Sequence, residues 1–229
     1  MPAQGSGRAV CLDLDGTLID SAPDLAAALN RRLAANGLAP LPLDSVKRMI
    51  GDGARALLSR GFAAAGRPLD DDALSAELAR FIPDYEAHAL DFTRPFPGVE
   101  AALDALAEAG FVLAIVTNKP EGATHAILGR LGLDRRFATV AGGDSFPVRK
   151  PDPGHLTGTL ARLGIPPGDA VMVGDHRNDL LAARGAGVRA IYAAFGYGEE
   201  DHRALGADAA IDRFDALPEA VAALFADPA

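Results

Sequence analysis

The chain has 229 residues, 49 % of them apolar, a formal net charge of −9 and a single cysteine. The length accommodates a core and a smaller inserted or appended unit, and the acidic balance argues against a nucleic-acid surface, which needs a concentrated basic face. No apolar run reaches the roughly 20 residues of a membrane span, MPAQGSGRAV lacks the basic start and apolar stretch of a secretion signal, and Cys11, unable to form an internal disulfide, reads as a buried thiol. A cytoplasmic protein without membrane or nucleic-acid partners is expected.

Taken in order, Ala9 to Leu14 (AVCLDL) is a short apolar run that ends in acids and Gly16, the pattern of a buried strand entering a loop. From Pro23 to about Ala35 the spacing is helical, with Ser21 or Asp24 available near its start. Further helical stretches follow at roughly 43–50, 53–65 and 70–90, and no strand stands out among them. Thr93-Arg94-Pro95-Phe96-Pro97-Gly98 breaks this pattern with two prolines and a glycine and reads as a linker.

The rhythm then changes. A helix at 99–109 leads to strand 111–117 (FVLAIVT), a helix at 121–131 and strand 137–143 (FATVAGG). A helix at 153–164 precedes strand 170–175 (AVMVGD), and a helix at 178–186 precedes strand 189–195 (RAIYAAF). A short strand in ADAAID and a C-terminal helix close the chain. Strands alternating with helices imply right-handed crossovers and a parallel sheet covered on both faces. The expected fold is therefore α/β, a Rossmann-like core built from 1–16 and 97–229, with a helical cap inserted at 17–96.

In an open parallel sheet ligands bind beyond the carboxyl ends of the strands, so the polar residues there carry the argument. The first strand runs into Asp13-Leu14-Asp15-Gly16-Thr17. Strand alternation starts Asp13 and Asp15 on one side, and two close carboxylates repel unless a cation or a shared proton offsets them. An ordinary acidic turn would show the same residues. The second core strand ends at Thr117-Asn118-Lys119-Pro120, a hydroxyl and backbone N–H groups just before a helix, suited to an anion or to simple capping. In Arg149-Lys150-Pro151-Asp152-Pro153 the prolines fix the backbone, which either aims Lys150 at the strand ends or makes a surface turn. The strand at 170–175 ends in Gly174-Asp175-His176-Arg177-Asn178-Asp179, where Asp179 lies on the first turn of a helix and complements its dipole at the least. Lysine is otherwise scarce: Lys47, Lys119 and Lys150 are all there are. Four such clusters, each at the end of a core strand, point jointly to one site.

These four clusters resemble the haloacid dehalogenase-like phosphohydrolase superfamily, whose motifs match DLDGT, TN, KP and GDxxxD here, over essentially the whole chain. The resemblance implies that Asp13 attacks phosphorus and carries the phosphoryl group, while Asp15 acts first as acid and then as base. It implies that Thr117 and Lys150 hold the phosphoryl oxygens, that Asn118 supports them, and that Asp179 orients water or Lys150. Asp13, Asp175 and the backbone carbonyl of Asp15 would ligate a metal, and an all-oxygen set favours Mg2+ over Zn2+.

Within that superfamily the presence of Asp15 separates the chain from similar dehalogenases and phosphonate-cleaving enzymes, and Gly174 stands where related β-phosphoglucomutases carry glutamate. In the cap, Ile50-Gly51-Asp52-Gly53-Ala54-Arg55 joins two helices. Gly51, Asp52 and Gly53 would bring backbone N–H groups to a leaving group, and Arg55 would meet a substrate carboxylate, unless the segment is only a helix connection. Together with Asp20 to Leu25 and Gly196-Tyr197-Gly198, these residues are similar to bacterial phosphoglycolate phosphatases. The implied substrate is a small phosphorylated metabolite, 2-phosphoglycolate first, with amino-sugar phosphates such as N-acetylmuramic acid 6-phosphate as the alternative and a non-catalytic binding protein as a remote one. The chain is expected as a monomer or homodimer. His176 receives no catalytic role, and His88, His125, His155 and His202 read as structural or solvated.

Overall fold

In the computed structural model, which describes residues 7–199 and 201–226, the chain forms two compact units. One comprises Met1–Ile19 and Pro95–Ala229, the other Asp20–Arg94. Residues 1–6, part of the N-terminal stretch read above, lie outside the described residues.

The first unit is built on a six-stranded sheet. Its strands are β1 (Ala9–Leu12), β4 (Val112–Val116), β5 (Thr139–Ala141), β6 (Ala170–Gly174), β7 (Arg189–Ala193) and β8 (Ala209–Ile211). Their order across the sheet is β5-β4-β1-β6-β7-β8 and every pair is parallel. Between them run α5 (Val99–Glu108), α6 (Glu121–Arg130), α7 (Pro153–Leu163) and α8 (Arg177–Ala186), and α9 (Leu217–Phe225) ends the described chain. Strands β1 and β6 are buried along their whole length, which is why they read as unbroken apolar runs with no alternation. Cys11 lies inside β1, its thiol pushed up to about 12 by burial, with Lys150 opposing. An inert structural thiol is what that environment makes of it.

The chain starts at β1, works outward on one side through β4 and β5, then returns to β1's other edge with β6. This reversal is a topological switch point, where an open α/β sheet leaves a crevice. Leu12 pairs with Ile115 on one side and Val173 on the other. The residues just beyond these, Asp13, Thr117 and Asp175, therefore emerge side by side.

The second unit is helical: α1 (Ala22–Ala35), α2 (Leu43–Lys47), α3 (Ala54–Ala64) and α4 (Asp71–His88). Helix α4 buries Leu74, Glu77, Phe81 and Tyr85, a helical spacing that makes one apolar face with an acid in it. That acid is paired: Glu77 accepts hydrogen bonds from Arg32 Nε at 2.8 Å and Asn36 Nδ2 at 3.2 Å, and lies 3.3 Å from Arg80. Near the start of α1, the Asp24 carboxylate accepts the N–H groups of Phe92 and Thr93 and the Thr93 hydroxyl, tying the two ends of the unit together. Two short strands, β2 (Ile19–Asp20) and β3 (Arg94–Pro95), mark where the chain passes between units. With two residues each, they are too short to show a period in the sequence. Among the described residues no helix is long and apolar enough to cross a membrane.

Burial pushes Glu77 up, but the bonds from Arg32 and Asn36 and the charges of Arg32 and Arg80 outweigh it and hold the carboxyl below its ordinary range. A depressed carboxyl stabilises the fold above its unfolded value of roughly 4.3, and that contribution is lost as pH falls through the folded value. Glu77→Gln should therefore cost about 1–3 kcal/mol near neutral pH. The difference from wild type should shrink as pH falls below roughly 4, read by urea unfolding at both conditions.

Candidate active site

Asp13 follows β1 directly, its N–H donating to the Val173 carbonyl at 2.9 Å, so the sheet ladder itself fixes its backbone. Its carboxylate lies 3.0 Å from Lys150 Nζ. Lys150 also reaches Asp179 Oδ1 at 2.6 Å and donates to the Val116 carbonyl at the end of β4. This ammonium is 1 % exposed, as is Asp179. Burial would lower the lysine, but Asp13 and Asp179 outweigh that and hold it above its ordinary value. Lys150 is no surface turn residue; it is a fixed buried charge.

Asp175, at the tip of β6, accepts the Thr17 hydroxyl at 3.0 Å and the Tyr197 N–H at 2.7 Å. A third acid completes the group. The carboxylates of Asp13, Asp175 and Asp179 lie within 4.8 Å of one another, all buried. Burial pushes Asp13 up to about 6, with Asp179 adding and Lys150 opposing. Burial, and then the charges of Asp13 and Asp179, push Asp175 well above its usual range. Three carboxylates against one ammonium leave a negative excess of two if all are ionised. Hard oxygen donors with that excess suit a divalent metal ion, which reverses the local penalty on charged acids. The Asp15 side chain is not in this cluster.

Asp15 faces a different cation. Lys119 Nζ lies 3.0 and 2.9 Å from its two oxygens, a pairing that motif reasoning did not foresee although Lys119 is one of three lysines and adjoins Asn118. Thr117, buried, accepts the Lys119 N–H at 3.2 Å, and its backbone is fixed by the Ala141 carbonyl. Asn118 Nδ2 donates to the Lys150 carbonyl at 3.0 Å, linking the loop after β4 to the one before α7. Thr17 and Tyr197 are the other partners missed. A hydroxyl two residues past Asp15 carries weak signal, and a backbone N–H carries none.

Asp179 serves two purposes. Its Oδ1 takes Lys150, and its Oδ2 accepts the His176 N–H at 3.0 Å within a capping box at the start of α8. His176 is thus a helix cap. Close packing explains two glycines here. A Cβ at Gly174 would lie 2.1 Å from Asp179 Cγ, and one at Gly196 would lie 2.2 Å from Asp175 Cβ and 2.4 Å from the Gly16 carbonyl.

In the helical unit, Gly51, Asp52 and Gly53 form the turn before α3, with Gly51 and Gly53 at φ 118° and 87°. Asp52 pairs with Arg60, which also donates to the Met49 carbonyl. Arg55 is engaged within the same unit: it donates to Ser75 Oγ at 3.0 Å and Asp71 Oδ1 at 2.8 Å. Both partners belong to α4.

The haloacid dehalogenase-like hydrolase profile matches residues 8–187, most of the chain and the whole set of strand-end residues. The chain belongs to this family. The resemblance read from the four motifs is borne out, and so is the α/β Rossmann-like core. Among curated relatives, the phosphoglycolate phosphatase of Caulobacter vibrioides is 47 % identical, covering 94 % of this chain and 91 % of its own. That of Rhodospirillum rubrum is 45 % identical, covering 92 % and 89 %. A solved structure from Haemophilus somnus, described as a predicted phosphoglycolate phosphatase, superposes with a TM-score of 0.87 at 31 % identity, covering 93 % and 97 %. CbbY from Rhodobacter sphaeroides, solved with phosphate, gives 0.78 at 26 % identity, covering 92 % and 96 %. This member of the haloacid dehalogenase-like family is thus a hydrolase whose relatives are phosphatases over most of their length.

The clash at Gly174 yields a test. Gly174→Ala should force Asp179 aside and cost about 1–3 kcal/mol of stability. Gly168→Ala, where a Cβ meets nothing within 4 Å, should change stability by no more than about 0.5 kcal/mol. Chemical denaturation of the two variants checks both.

Proposed function

We propose that the protein is a Mg2+-dependent phosphomonoester hydrolase that converts 2-phosphoglycolate to glycolate and phosphate through a phosphorylated Asp13. The observation that carries the reading is Asp13 itself: a buried carboxylate against Lys150, in an acidic cluster, at the switch point of a parallel sheet. Relatives at 41–47 % identity, named for phosphoglycolate, support the substrate.

Asp13 Oδ attacks phosphorus in line with the ester oxygen, and the bond from phosphorus to that oxygen breaks as the new one forms. Asp15 delivers a proton to the departing oxygen, giving glycolate. A water then attacks phosphorus from the side the glycolate oxygen left, opposite Asp13; Asp15 takes its proton, and the bond to Asp13 breaks to release phosphate. One carboxyl alternates as acid and base. Lys150 and Thr117 bind the phosphoryl oxygens throughout. Thr117 suits this because its oxygen already accepts the Lys119 N–H and its own proton remains to be donated to an anion. Asp179 keeps Lys150 aimed. A magnesium ion held by Asp13, Asp175 and the Asp15 carbonyl would supply the positive charge that lets these acids stay ionised beside a phosphate dianion.

Asp13→Asn should reduce turnover at least about ten-thousandfold while the circular dichroism spectrum is kept, since the carboxamide is nearly isosteric but a poor nucleophile. EDTA should abolish turnover, Mg2+ should restore it, and Ca2+ should not, because its larger and looser oxygen shell misplaces Asp13. Full activity in chelator would contradict the metal part. For the substrate, kcat/KM should be highest for 2-phosphoglycolate in a panel containing N-acetylmuramic acid 6-phosphate and other sugar phosphates. A faster amino-sugar phosphate would replace the substrate while leaving the chemistry in place.

A further inference from the structure

Lys119 has no part in holding phosphate in the reaction above, yet it is a lysine only 7 % exposed at the carboxyl end of β4. A buried ammonium is costly unless it is paired, and Lys119 makes contacts of 3.0 and 2.9 Å to the carboxylate of Asp15, the acid that addresses the leaving oxygen. The other cations named above have other places: Lys150 lies against Asp13 and Asp179, where the phosphoryl group is bound, and Arg55 is paired with Asp71 and Ser75.

In 2-phosphoglycolate the carboxylate carbon stands two bonds from the ester oxygen. Asp15 must come within about 3 Å of that oxygen, and Lys119 is one further hydrogen-bond length away, so the ammonium and the substrate carboxylate fall within about 6 Å of one point. We infer that Lys119 is the residue that selects a carboxylate-bearing leaving group, by exchanging the Asp15 carboxylate for that of the substrate. This rests on the phosphoglycolate reading. The exchange conserves charge around the ammonium: Lys119 has an anionic partner before and after binding, and Asp15 is set loose to turn toward the leaving oxygen. A phosphomonoester without a carboxylate offers no replacement. Asp15 must then give up its pairing with Lys119 with no carboxylate to take its place, or stay where it is and protonate poorly. Selection is therefore two-sided, an attraction for the right substrate and a penalty for the wrong one.

The test compares 2-phosphoglycolate with ethyl phosphate, which has the same two-carbon chain and an alkoxide leaving group but no carboxylate. In Lys119→Met the ratio of kcat/KM for phosphoglycolate over ethyl phosphate should fall ten- to about a hundredfold, the effect of one charge-assisted contact. Lys119→Arg should recover most of that ratio. Lys119→Gln carries the same comparison if the methionine variant does not fold. A ratio within threefold of wild type, with both substrates slowed together, would mean that Lys119 only holds Asp15 or the loop, and would overturn the inference while leaving phosphoglycolate as substrate. Wild-type protein that turns over ethyl phosphate as well as phosphoglycolate would overturn the substrate reading, and this inference with it.

Discussion

A single buried ammonium, Lys150, organises the catalytic unit. It reaches carboxylates from the ends of β1 and α8 and a carbonyl from the end of β4, so three parts of the chain distant in sequence meet on one charge. Removing a charge from water is costly, and only close, well-made partners offset it. The partners here are therefore constrained as much as the lysine. Asp179 is fixed from its other side by the N-terminus of α8, and Gly174 has no side chain because Asp179 fills the space one would need. The motif residues form an interlocked set, so a change at one disturbs the others.

The same arrangement assigns the two aspartates of the first loop to different surroundings. Asp13 is buried with Lys150 and pushed up to about 6 by burial, whereas Asp15 is more open and bound by Lys119. In the proposed reaction one acid stays in place to form a bond, and the other has to move a proton in two directions. Giving each its own lysine keeps the two roles apart although only Leu14 separates them. Asp175 is held by the Thr17 hydroxyl and by a backbone amide from the loop after β7, so that loop, far along the sequence, contributes main chain to the site.

Much of this was legible in the sequence. The fully buried strands announced themselves as apolar runs bounded by acids and glycine, and the strand-end placement of Asp13, Thr117 and Asp175 followed from the alternation of elements. The first strand stops at Leu12, short of the expected Leu14, and α2 ends at Lys47, short of position 50. Apolar content continues past both ends, but the first strand keeps only the bond from Asp13 to Val173 and the helix only turn-type bonds from Met49 and Ile50. What could not be read was pairing. No pattern says that Lys119 closes on Asp15, that Arg55 turns to Asp71 and Ser75, or that Tyr197 contributes its amide, because each depends on side-chain directions fixed only by packing. The glycine at 174 was visible, but its reason, the Asp179 carboxylate, was not.

The central claim is that phosphorus passes through Asp13 on its way to water. Two successive in-line displacements restore the original configuration at phosphorus, whereas direct attack by water inverts it. Hydrolysis of the phosphorothioate analogue of 2-phosphoglycolate, made chiral at phosphorus by sulfur and two oxygen isotopes and cleaved in water carrying the third, gives a chiral inorganic thiophosphate that reads this without requiring the intermediate to accumulate. The account predicts net retention; net inversion would contradict it.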